Sequence, residues 1–205
     1  MEERLLTLAR PLGDAVGRVG DTLGQIRRKN GDVLITIAPE AVKGRIDVKI
    51  VVEAKRRGQA AQNFSANEIT DSLNVARRNR GATAGLFVTE AAALLPLGVG
   101  FHEYGCSNIA VAYDPMGEDI GLAVAYRLLR FAVVQEARGS AGEQIDRDAH
   151  KRVVADIRSA IAKLETIRAQ HQSAINSINR ASSAVTELND AVIRGLRQLD
   201  ELMEV

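Results

Sequence analysis

Two acidic residues and one amine have spacing that suits chemistry. Asp32 sits in Gly31-Asp32-Val33-Leu34-Ile35, and Glu53 and Lys55 sit in Ile50-Val51-Val52-Glu53-Ala54-Lys55. Side chains two apart on a strand share a face, so Glu53 and Lys55 project together, about 7 Å apart along the strand. If the two stretches form an antiparallel hairpin with its loop centred near residues 42 and 43, position 32 falls opposite position 53. Adjacent carboxylates repel each other, and a divalent cation relieves that repulsion. Magnesium, or manganese, suits such a pair. A hard cation on one or two carboxylates keeps several waters, orients a phosphodiester and lowers the pKa of an attacking water. Lys55 would then position that water or stabilise developing negative charge.

Positioning these groups requires a sheet, and the surrounding sequence predicts one. Val33 to Ile37 is rich in β-branched residues, and 46 to 54 alternates Ile46, Val48, Ile50, Val52 and Ala54 against largely polar neighbours. Pro39 and Gly44 interrupt the pattern between them, as a hairpin requires. Ser65 followed by Glu68 predicts a capping box, with Ile69, Leu73 and Ala76 on the apolar face of a helix that Gly81 terminates. Gly85 to Thr89 and Ile109 to Tyr113 read as further strands, and Leu122, Leu128, Leu129 and Val133 belong to another helix. The expected core is a small mixed α/β sheet with flanking helices over residues 30–138.

Both flanks of this core carry helical periodicity. Leu5, Leu8, Leu12, Val16, Val19, Leu23 and Ile26 recur in steps of three and four, which predicts an N-terminal amphipathic helix over 1–29 despite Pro11 and several glycines. Beyond a flexible break at Gly139 to Gly142, an apolar stripe runs from Val153 through Ile175 and Val185 to Met203. It predicts a coiled coil or helical hairpin over 143–205, with folding back near Ser182-Ser183 left open. Such a stripe also predicts a homo-oligomer held by helices.

Asp32, the roughly twenty residues that follow, then Val52-Glu53-Ala54-Lys55 and a succeeding helix and strand resemble the PD-(D/E)xK nuclease superfamily, the restriction-endonuclease-like fold. The stretch Asn74 to Ala82 leading into Gly85 to Thr89 resembles bacterial members in which such a core adjoins a coiled coil. The resemblance covers approximately residues 30–137. It implies Asp32 and Glu53 as metal ligands with the Ala54 carbonyl as a third, Lys55 as the catalytic lysine, and Gln59 or Gln62 as an auxiliary polar residue. The implied cofactor is Mg²⁺ or Mn²⁺, and the implied partner is nucleic acid, DNA above all. Asn30-Gly31 replaces the proline that the family pattern puts before the aspartate, and Asp14 and Asp21 are candidates on spacing alone for the family's upstream helical acid. A member that keeps the fold without the chemistry would serve instead as a scaffold binding DNA or protein.

Charge distribution agrees with a polyanionic partner on one part of the chain. The net charge is +1, yet residues 1–80 hold 15 Lys and Arg against 10 Asp and Glu. Arg56 and Arg57 follow Lys55 directly, and Arg77, Arg78 and Arg80 end the helix that begins at Ser65. These five are the candidate nucleic-acid contacts, giving affinity through phosphates without sequence readout. Aromatics are only 3%, too few for a base-stacking groove. A single cysteine, Cys106, excludes an internal disulfide, and no apolar stretch is long enough to span a membrane, so a soluble cytoplasmic protein is expected.

Overall fold

The computed structural model describes the chain except for residues 45–46, 58–61, 99, 106, 116–119, 140–146 and 204–205. Contacts divide it into two units, 1–152 and 153–205. The first begins with helix α1 (Glu2–Ala9) and strands β1 (Ala15–Arg18), β2 (Val33–Thr36) and β3 (Lys49–Lys55). Helix α2 (Ala66–Arg80), strand β4 (Ala84–Thr89), strands β5 (Phe101–Glu103) and β6 (Asn108–Ala112) and helix α3 (Ile120–Arg138) complete it. A last helix, α4 (Arg147–Met203), forms nearly all of the second unit.

The six strands form one mixed sheet in the order β1-β2-β3-β4-β6-β5. The first three pair antiparallel, β3-β4 and β4-β6 are parallel, and β5 returns antiparallel on β6. Val33 pairs with Val52 and Leu34 with Val51, which is the register expected from the sequence. A slip of one residue would turn the whole β3 pattern over, so burial on both faces holds that register. On one face Ile50, Val52, Leu86, Val88 and Val111 pack with Leu5 and Ala9 of α1 and Leu122, Ala125, Tyr126 and Leu129 of α3. On the other, Phe87 and Ala110 pack with Phe64 and with Ile69 and Leu73 of α2. The result is a mixed α/β architecture with helices on both faces.

Helix α2 starts and stops where its sequence demands. Ser65 Oγ accepts from the Glu68 amide while the Glu68 carboxylate accepts from the Ser65 amide, and Gly81 closes the helix in the left-handed region at φ 60°. The N-terminus departs from expectation. No helix runs over 1–29; α1 stops at Ala9, Pro11 lies in a tight 3₁₀ turn, Gly13 reverses the chain at φ 73° and Ala15–Arg18 joins the sheet. The periodic apolar positions divide accordingly. Leu5 is buried whereas Leu23 and Ile26 are exposed, so the stripe serves two unrelated local structures. The α/β unit therefore begins at α1 rather than at residue 30. At the other end α4 is one uninterrupted helix of 57 residues without a break at Ser182-Ser183, so the region is not a hairpin.

No helix among the described residues is long and apolar enough to cross a membrane.

Candidate active site at the open end of the β2-β3 hairpin

Asp32 lies one residue ahead of β2, where the hairpin opens away from its turn. The Asp32 amide donates to the Val52 carbonyl at 2.8 Å, and its carboxylate Oδ2 accepts from the Ala54 amide at 2.7 Å. Because an extended residue presents its amide and carbonyl to the same edge, the Ala54 carbonyl also faces the Asp32 side. Strand alternation puts Val51, Glu53 and Lys55 on the α2 face, opposite the Ile50 and Val52 core positions. Glu53 is only 1% exposed. Its Oε1 lies 2.7 Å from Lys55 Nζ, and its Oε2 accepts from the Gly31 amide at 2.5 Å. Lys55 is partly open to solvent, its side chain 42% exposed. Glu53 and Lys55 thus form an ion pair on one face of β3, and Asp32 is tied to the Ala54 amide between them in sequence.

Gly31 makes this convergence sterically feasible. Its φ is +89°, and a Cβ there would meet Val51 Cγ2 at 2.7 Å and Arg80 Cγ at 3.0 Å. Only glycine lets the backbone descend onto Val51 and aim its amide at a buried carboxylate. Above it, the connection from β1 to β2 is held by the end of α2. Asn79 Nδ2 donates to the carbonyls of Arg28 at 2.7 Å and Asn30 at 2.9 Å. The Arg80 guanidinium donates to the carbonyls of Val19, Thr22, Asn30 and Gly31 and to Thr22 Oγ1. Sequence reasoning missed Asn79 altogether. Its signal was weak: a polar residue at a helix C-terminus, indistinguishable from a solvated one until the connection folds over it.

The five candidate phosphate contacts have different surroundings. Arg80 is 7% exposed and its fork is committed to the carbonyls just named. Arg57 lies 3.8 Å over the Phe64 ring, pairs with Glu68 at 2.5 Å and donates to the carbonyls of Gln62 and Asn63. The Ser65 amide and then Arg57 hold the Glu68 carboxyl down at about 2. Arg77 bonds Ser107 Oγ at 3.2 Å and Asn108 Oδ1 at 3.4 Å. Arg78 is exposed and lines an open groove with Arg77, Gln25, Asp71 and Asn74. Arg56 is also exposed, with a loose contact to Glu90 at 3.5 Å. Gln62 is exposed, while Gln59, like Cys106, lies outside the described residues.

Neither upstream acid joins the site. Asp14 is buried elsewhere, accepting from the Ala38 amide at 2.9 Å, the Tyr126 hydroxyl at 2.5 Å and Arg130 Nε at 2.7 Å. Burial and the Asp14 carboxylate push the Tyr126 hydroxyl pKa upward, and the same carboxylate raises that of Arg130. Asp21 is exposed, 3.6 Å from Arg18. Another residue that the sequence did not single out adjoins the site: Thr89 pairs with Lys55 across β3 and β4, is 2% exposed, and its hydroxyl has no hydrogen-bond partner among the described residues.

A cation here would have a sparse protein donor set. Among the described residues no group of three or more His, Cys, Asp and Glu side chains assembles. Two carboxylates and a carbonyl are hard oxygen donors, which match a cation that retains water and not one that demands nitrogen or sulfur. Comparison of this chain with protein-family models, with curated proteins and with solved structures returns no match.

Proposed function

We propose that this protein is a nuclease-like protein of the PD-(D/E)xK type. It hydrolyses nucleic-acid phosphodiester bonds, with DNA as the expected substrate, and acts in the cytoplasm with self-association through α4. One observation carries the reading: on β3 Lys55 Nζ lies 2.7 Å from Glu53 Oε1, and the carboxylate of Asp32, just ahead of β2, accepts from the Ala54 amide at 2.7 Å. The restriction-endonuclease-like assignment draws further support from the antiparallel β2-β3 pair followed by α2 and a parallel β4. Asp32, Glu53 and the Ala54 carbonyl would hold Mg²⁺ or Mn²⁺. When bound, the ion supplies Lewis-acid polarisation of the phosphate and a more acidic water. The Glu53 carboxylate keeps the Lys55 ammonium at the site, where it offsets negative charge developing on the phosphorus oxygens. Gly31 and Ala54 fix the two carboxylates through their amides, so the acids are oriented before substrate arrives. Of the five candidate arginines, Arg56 and Arg78 are exposed and available for phosphate contact.

A second reading has its own observation. Glu53 is nearly sealed, and both of its oxygens already have partners, as in a site that has kept the fold and lost catalysis. Incubating the purified chain with plasmid and branched DNA under Mg²⁺ or Mn²⁺ separates the two. Hydrolysis that vanishes in Glu53→Ala and Lys55→Ala, with circular dichroism unchanged for the partly exposed Lys55 variant, supports the enzyme. Salt-sensitive DNA binding without cleavage under either cation supports the scaffold and defeats the hydrolytic reading.

A further inference from the structure

We propose that α4 pairs with α4 of a second copy of this chain, antiparallel, in a register centred on residue 180. The pairing rests on the self-association just proposed and is independent of the hydrolytic site. Helix α4 presents Ile167, Ile175, Ile178, Val185, Leu188, Val192 and Leu196 to solvent, with Leu188 66% exposed. An exposed run of large apolar side chains of this kind marks an interaction surface. Its repeat is a heptad, with Ile175, Ser182, Asn189 and Leu196 at the first core position and His171, Ile178, Val185 and Val192 at the second.

Three properties of the helix choose the partner and its direction. The first is charge. Residues 187–205 carry two Lys and Arg against five Asp and Glu, whereas 155–173, the segment they face in a register centred on residue 180, carry three against two. Parallel pairing would set each block against its own sign, and antiparallel pairing sets each against its opposite. The second is the polar core positions. In a register where facing residues sum to 360, Asn189 faces His171, so the two polar side chains share one layer, while Ile175 faces Val185 and Ile178 faces Ser182. Sliding by one heptad puts Asn189 against Leu164 or Ile178, and an amide buried without a partner costs more than Ser182, whose hydroxyl can turn back to a carbonyl of its own helix. The third is size. On the flank beside the core, where the nearest residues sum to 362, this register brings Ala174 against Leu188, Ile167 against Gly195 and Ala181 against its own copy. Each large side chain meets a small one, which a chain complementary to itself requires.

The test uses full-length protein with Cys106→Ser and a nitroxide on Ser183→Cys or on Gln198→Cys. Sedimentation is expected to give a dimer at tens of micromolar. Label separation grows by twice the helical rise for each residue away from the centre, so the Ser183 pair should lie at close range and the Gln198 pair about 54 Å apart. Short distances at both positions would mean parallel pairing and overturn the proposal. So would a long Ser183 distance, which would mean another register, and so would a monomer or an assembly other than a dimer.

Discussion

Replacing Arg80 by lysine distinguishes a structural clamp from a phosphate contact, because the substitution keeps the charge and removes the fork. The guanidinium makes five hydrogen bonds to the β1-β2 connection, spread over Nε and both terminal nitrogens. A lysine ammonium offers three donors from one point and cannot span that set. Losing two bonds to a charged donor costs about 3–6 kcal/mol, and water reaching the exposed Thr22 brings the expected cost to about 3 kcal/mol. For a unit of about 150 residues, each kcal/mol shifts Tm by about 2–4 °C, so Arg80→Lys is expected to melt about 6–12 °C lower. Thermal denaturation followed by circular dichroism, with DNA binding measured across salt concentrations on the folded variant, is the assay. The clamp predicts a large Tm loss and a salt slope equal to that of the parent protein. An unchanged Tm, together with weaker binding and a slope smaller by about 1, would refute it and return Arg80 to the phosphates.

Three further outcomes follow from the same contacts. Gly31→Ala forces a Cβ to 2.7 Å from Val51 at a φ that disfavours side chains, so a loss of at least about 2 kcal/mol in urea denaturation is expected, and an unchanged midpoint would contradict the close approach. Asp14→Ala strands the Tyr126 hydroxyl, Arg130 and the Ala38 amide, and should cost about 3–5 kcal/mol, against about 1.5–3 for Tyr126→Phe; equal losses would show that the carboxylate is not the shared hub. The Glu68 carboxyl is held at about 2 against an ordinary 4.5, so its contribution is fully present above about pH 4.5 and fades as the pH falls towards 2. Glu68→Gln should therefore be less stable than the parent at pH 7 and converge with it near pH 2, and a gap that persists in acid would be inconsistent with this linkage.

The parts of the fold that were legible in the sequence are those settled by local chemistry. Pro39 and Gly44 bounded a turn between two β-branched runs, and that was enough to pair Val33 with Val52. Ser65, Glu68 and Gly81 likewise marked both ends of α2, since caps are read from neighbouring residues. Strand β1 escaped notice because its four residues, Ala-Val-Gly-Arg, have little β-propensity of their own and are recruited by pairing with Val33–Thr36. That Glu53 and Lys55 share a face of β3 was legible for the same reason as the hairpin. The support beneath them was not, because Gly31 approaching Val51 and Arg80 reaching Val19 depend on how a long connection folds over a distant helix.

The two outermost strands are short, four residues in β1 and three in β5. Unpaired backbone along the rim of a sheet invites other chains to extend it, and brief borders with a charged residue such as Arg18 deny that invitation. The α/β unit can therefore be concentrated without its sheets growing into one another.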